Sequence, residues 1–110
     1  MEIQKFKNIN EALKNILPKD SEYIIVKHQL YKGQNIQRHF HKKATEWLVF
    51  NNGSLDIRSD DERETLTPKN ETVTVKFMVS VKHSVDAIED IEYFVIRDRQ
   101  DEIYYSNRLF

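Results

Sequence analysis

The chain has 110 residues, 39% of them hydrophobic and 32% charged, with 17 Lys and Arg against 18 Asp and Glu for a net charge of −1. That is enough for one modest core spanning residues 1–110, and the balanced charge without a basic stripe excludes a phosphate-tracking nucleic-acid binder. No apolar run approaches membrane length and the start, MEIQKFKNIN, has no signal-like segment, so a cytoplasmic location with no membrane partner is expected; the absence of cysteine leaves only His and carboxylate to hold a metal.

In chain order, residues 8–17 place Ile9, Leu13, Ile16 and Leu17 at i, i+4, i+7 and i+8, with Asn8 or Asn10 to cap and Pro18 to stop the run. This predicts a short amphipathic helix. Strands follow. Residues 23–31 alternate Ile24, Val26, His28 and Leu30 on one face against Tyr23, Ile25, Lys27 and Gln29 on the other, and residues 35–41 form the next strand. Glu46–Phe50 and residues 54–58 flank Asn51-Asn52-Gly53, a strong hairpin signal that predicts them as antiparallel neighbours. The acidic run 59–64 reads as a hairpin tip. Residues 72–81 alternate with Val73, Val75, Phe77, Val79 and Val81 on one face, and a strand running on unbulged turns His83 to the core side. Ile91–Arg97 is the last strand, followed by a polar tail, DRQDEIYYSNRLF, expected as a loop or short terminal element. Short strands with closely spaced turns and one flanking helix favour an antiparallel β-sandwich or barrel.

Chemistry concentrates between the two glycines of the chain, Gly33 and Gly53, in the pattern G-x5-H-x-H-x4-E-x6-G. His39 and His41 sit at i and i+2, so on a strand they face the same way, roughly 6.6 Å apart. Two imidazoles with the carboxylate of Glu46 suit a divalent transition metal. Gln37 shares their parity and should face the cavity, touching a ligand or satisfying a buried polar group. His28, on the apolar face of its strand, reads as a core or pocket histidine rather than a metal ligand. Phe40 and Trp47, of the opposite parity, should pack on the helix or on a partner subunit. Arg38 points outward with Ile36 and Phe40, and Arg97 stands at a strand end, so no arginine is placed at inward parity, which weighs against a phosphorylated substrate. Ser84 beside His83 has no third group to orient it as a nucleophile.

The G-x5-H-x-H-x4-E-x6-G pattern resembles, position for position, the first motif of the cupin superfamily. A second stretch, VSVKHSVDAIEDIEYFVIRD, resembles the part of small cupins that supplies one more histidine, here His83. It departs from the family pattern in having Ser80-Val81-Lys82 where Pro-x-Gly usually stands and Ala87 in place of an asparagine. The resemblance covers residues 23–98. It implies an all-β, antiparallel cupin-type barrel (a jelly roll, or double-stranded β-helix) with its core at about 22–98 and the helix outside. It further implies one divalent metal (Fe, Mn, Ni, Co or Zn) held by His39, His41, Glu46 and His83. Cupins serve as oxygenases, sugar isomerases, decarboxylases, metal-free epimerases or simple binding modules, so the resemblance names no reaction. A metal-dependent enzyme of unknown reaction is expected, its ligand a small polar molecule donating oxygen, with Gln37 and His28 as pocket residues; a non-catalytic small-molecule-binding or sensing module and a sugar or sugar-phosphate isomerase are the alternatives. A homodimer is expected too, burying Ile36, Phe40, Trp47 and Val49 unless the helix covers them.

Overall fold

A computed structural model describes residues 1–20 and 22–105. In chain order the elements are β1 (Glu2–Phe6), α1 (Ile9–Ile16), β2 (Ile24–Leu30), β3 (Asn35–Phe40), β4 (Glu46–Phe50), β5 (Ser54–Ser59), β6 (Glu62–Leu66), β7 (Thr72–Phe77), β8 (His83–Glu89), β9 (Ile91–Arg97) and β10 (Tyr104–Tyr105). They form two antiparallel five-stranded sheets, β1-β7-β4-β9-β2 and β10-β3-β8-β5-β6. The core lies between them: Leu48, Phe50, Val75, Phe77, Tyr93 and Val95 from the first sheet meet Leu55, Ile57, Leu66, Val85 and Ala87 from the second. This is the expected jelly roll, built as two facing sheets whose strands do not close into one continuous barrel.

The helix forms where the apolar spacing places it. Asn8 is the cap: its Oδ1 accepts from the Glu11 N–H at 2.9 Å, and Glu11 Oε2 accepts from the Lys7 N–H at 3.2 Å. Ala12 and Ile16 pack with Val49 and Ile96 on the outer face of the first sheet, where Trp47, Phe94 and Leu13 border them. Trp47 stacks on Tyr23 with ring centroids 5.7 Å apart.

Several sequence expectations need correction. Asn51-Asn52-Gly53 is not a hairpin between paired strands. β4 pairs with β7 and β9, whereas β5 pairs with β6 and β8, so the chain crosses from one sheet to the other. The Asn52 side chain is the cause: its Nδ2 donates to Glu92 O at 2.8 Å, and its Oδ1 accepts from the Glu92 N–H at 3.0 Å. A side-chain amide thus takes the next rung on β9, and the backbone is free to leave the sheet. Gly53 turns at φ +66 so close to β9 that a Cβ would lie 2.5 Å from Asp90 O. Gly33, at φ +88, serves the corresponding crossing from β2 to β3.

The strand expected over 72–81 ends at Phe77. Residues 78–81 turn, with Ser80 at φ +68, and His83 begins a strand of the opposite sheet. His83 reaches the interior by that crossing, not by continued alternation. The acidic tip shrinks to Asp60-Asp61, because Glu62 already belongs to β6. Strand β1 has no counterpart in the expectations; it pairs with β7. Of the polar tail, Tyr104–Tyr105 is a strand beside β3, and residues 106–110 lie outside the described residues.

A register irregularity in β3 between Ile36 and His39 breaks the alternation assumed there. Ile36 faces inward opposite Val85 and packs on the main core, while the Gln37 side chain is exposed. Val49 and Trp47 lie under the helix, and Phe40 stacks on Tyr104 at 5.5 Å. The side chains assigned to a homodimer surface thus have contacts within the chain, with Ile36, Phe40 and Trp47 still partly exposed.

Candidate metal centre

Four side chains from both sheets meet at one end of the interior. β3 brings His39, the residue after it is His41, β4 opens with Glu46, and β8 opens with His83; none is more than 4% exposed. One ligand-type atom from each lies within 4.8 Å of all the others, so the group could hold a metal ion. His41 Nε2 is 2.8 Å and His83 Nε2 3.1 Å from the same oxygen, Glu46 Oε2. The start of β4 is fixed by Asp98, whose Oδ1 accepts from the Thr45 N–H at 3.0 Å and whose N–H donates back to Thr45 O at 3.2 Å.

The second nitrogen of each imidazole is tied to the backbone. His39 Nδ1 donates to Gln37 O at 2.8 Å, His83 Nδ1 to Val81 O at 2.9 Å, and His41 Nδ1 to Glu102 O at 3.0 Å. A carbonyl can only accept, so Nδ1 carries a hydrogen in all three rings, and in the neutral imidazole Nε2 is then the nitrogen that presents its lone pair. Such outer hydrogen bonds orient imidazoles and raise their basicity as ligands. With both Nε2 atoms unprotonated, their lone pairs and the carboxylate oxygen repel unless a cation stands among them; without one, an Nε2 proton lets His83 donate to Glu46 Oε2 at 3.1 Å. His41 Nε2 shows the tension directly: it is fully buried, 2.8 Å from Glu46 Oε2, yet it lacks the alignment of a hydrogen bond. Three neutral nitrogens and one carboxylate fit a divalent transition metal.

The electrostatics agree. Burial pushes His39 down to about 4, with His83 adding to the effect, so its ring is neutral at physiological pH. Burial alone would raise Glu46, but the close approach of His41 and His83 holds its carboxyl well below the usual range. Phe77 stacks flat on the His83 ring, centroids 3.9 Å apart, and fixes its plane.

Gln37 contributes its carbonyl rather than its side chain. His28 pairs in register with Tyr93 and stacks on it at 5.7 Å, so it lies on the inner face of its strand, yet it is exposed and apart from the Glu46 group. Arg97 corrects an expectation: it stands opposite Glu46 on the inner face, with a guanidinium nitrogen 3.8 Å from Glu46 Oε1. Alternation along Ile91, Tyr93, Val95 and Arg97 was the available signal. Asp101 and Glu102 gave none, because they reach back across the fold. Asp101 Oδ2 accepts from the Lys43 N–H at 2.5 Å and the Ala44 N–H at 3.0 Å, closing the loop that carries His41.

No family model and no curated protein matches the chain. Solved structures do. A Klebsiella pneumoniae protein with a double-stranded β-helix domain superposes with a TM-score of 0.66 at 10% identity, over 84% of this chain and 76% of that one. A cupin superfamily protein from Desulfitobacterium hafniense gives 0.59 at 13% identity, over 90% and 79%. The chain has the cupin fold. A sugar phosphate isomerase of the cupin superfamily from Silicibacter pomeroyi gives 0.63 at 19% identity, over 80% of this chain and 59% of that protein. Within this cupin fold the residues of both sequence motifs, His39, His41, Glu46 and His83, come together in one buried group. Among the described residues, no helix is long and apolar enough to cross a membrane.

Proposed function

We propose that residues 1–110 form one metal-dependent cupin-type unit, which binds a single divalent transition metal through His39, His41, Glu46 and His83 and acts on a small oxygen-donating molecule. The observation that carries this reading is the common orientation of the three imidazoles, each Nδ1 tied to a carbonyl and each ring in the group around Glu46. A cation bound there supplies Lewis acidity, and redox chemistry where it is iron. The chain keeps the His39 ring neutral, holds the carboxylate ionised and shields the group from water. Iron, manganese, nickel, cobalt and zinc all accept three nitrogens and one oxygen.

Access is open on one side. Val26 pairs with Val95 and His28 with Tyr93, which puts both on the inner face of the first sheet, but Val26 is 45% exposed and His28 is exposed too. Tyr105, opposite His39, is 60% exposed on the facing sheet. On this reading a small molecule would approach the centre between the edge strands β2 and β10, past these exposed inner-face side chains, with His28 at the rim of that approach.

Arg97 also favours a second reading. An inner-face arginine answers the objection that no cation awaits a phosphorylated substrate, and the Silicibacter pomeroyi neighbour is a sugar phosphate isomerase. Elemental analysis of the purified protein, followed by oxygen-uptake and isomerase screens, tests both. His41→Ala should abolish stoichiometric metal while leaving the far-UV spectrum unchanged; full metal content in that variant would refute the assignment.

A further inference from the structure

Two polar groups on the inner face of β9 have no use in holding a metal. Tyr93 is 1% exposed, and its hydroxyl has no hydrogen-bond partner among the described residues. Arg97 Nε is likewise buried without one, and among the described residues the other end of its guanidinium is engaged by a 3.8 Å approach to Glu46. A buried donor left unpaired is costly, and phenylalanine would fill the Tyr93 site without that cost. Tyr93, Val95 and Arg97 share one face, so an apolar step separates the two donors. Val26 and His28, on the approach between β2 and β10, lie directly opposite Val95 and Tyr93 on the neighbouring strand.

We infer that Tyr93 and Arg97 form the recognition site for a small organic acid, which enters between β2 and β10, sets its carboxylate on Arg97 and accepts a hydrogen bond from the Tyr93 hydroxyl. This deepens the metal-centre reading by naming the ligand class, but the anion site consists of residues that take no part in holding the cation.

Three considerations select this ligand. The guanidinium is a permanent cation whose fork matches a carboxylate. The phenol is a donor at neutral pH, because burial first and the Glu46 charge second push it up to about 12. The charge balance favours a monoanion: Glu46 already faces Arg97, and a phosphate dianion would meet that carboxylate with one cation to offset it. The apolar wall of Val26 and Val95 suits the short carbon body of a hydroxy or oxo acid.

Lactate and pyruvate titrations, followed by NMR shifts on metal-stripped and on cobalt-loaded protein, test the inference, with lactamide and inorganic phosphate as controls at matched ionic strength. Both acids should bind metal-stripped protein and lactamide should not. Tyr93→Phe should weaken binding about tenfold without lowering the Tm of the unliganded protein. Arg97→Gln should weaken it by at least tenfold, with Arg97→Lys between the two. Acid binding unchanged in Tyr93→Phe and Arg97→Gln would overturn the inference, as would phosphate binding in preference to both acids, or no acid binding by either form. Absence of metal uptake, by contrast, would overturn the metal centre and leave the acid site standing.

Discussion

Gly53→Ala isolates the crossing between the sheets. Two costs add at this position. The backbone sits at φ +66, where a side chain with a Cβ loses about 1–2 kcal/mol relative to glycine. The new methyl would also lie 2.5 Å from the backbone oxygen of Asp90 and 2.7 Å from Cβ of Ile91, the buried residue that opens β9, so neither contact is with the free end of a flexible side chain, and overpacking of this kind costs about 1–3 kcal/mol. The expected loss is therefore roughly 2–5 kcal/mol, a large part of the stability of a domain this size. Gly33→Ala is the internal control: φ is +88, but nothing lies within 4 Å of the added Cβ, so only the conformational cost of about 1–2 kcal/mol applies. Urea unfolding followed by Trp47 fluorescence and far-UV circular dichroism measures both. With a slope of about 1–3 kcal/mol/M, the Gly53 variant should unfold at distinctly lower urea than the Gly33 variant. Equal midpoints would show that β9 yields to the methyl and that the close approach does not constrain the crossing.

The site makes two further predictions. Asp101→Ala should weaken metal binding about 10–100-fold in a chelator competition, because it releases the loop carrying His41, while Asp61→Ala at the β5–β6 tip should leave affinity unchanged; equal affinities would remove Asp101 from the positioning of the centre. In metal-stripped protein the folded state resists protonating His39 down to about pH 4, whereas the unfolded chain takes up that proton near 6.5, so its contribution is complete above pH 6.5 and is lost as pH falls toward 4. The loss should be about 2–3 kcal/mol after allowance for solvent screening, and a constant stability difference between the natural protein and His39→Gln across that range would refute it.

The fold class was legible because alternation in β4, β7 and β9 and the spacing of α1 survive in the structure. His39, His41 and Glu46 were legible for the same reason, since each stands within one residue of a strand end and local periodicity determines its side. What escaped was where strands stop and change sheets. The Asn-Gly turn implied a hairpin because backbone torsion is a local property, but pairing is not, and Asn52 spends its amide on Glu92. The β3 irregularity reversed Ile36 and Gln37 through a single extra residue. Arg97 and Tyr93 could have been placed by extending the alternation of β9, whereas the support from Asp101 and Glu102 spans 57 to 61 positions and leaves no local trace.

The three imidazoles differ in how far they reach for support. His39 and His83 each lean on the carbonyl two residues earlier, so their orientation is complete as soon as their own segments form. His41 borrows its carbonyl from Glu102. During synthesis the nascent chain therefore exposes two prepared histidines well before the third can be set. On the proposed reading, tight metal capture would wait until Glu102 has cleared the ribosome and docked beside β3, so the order of translation itself would delay loading until the fold around the four side chains is nearly complete.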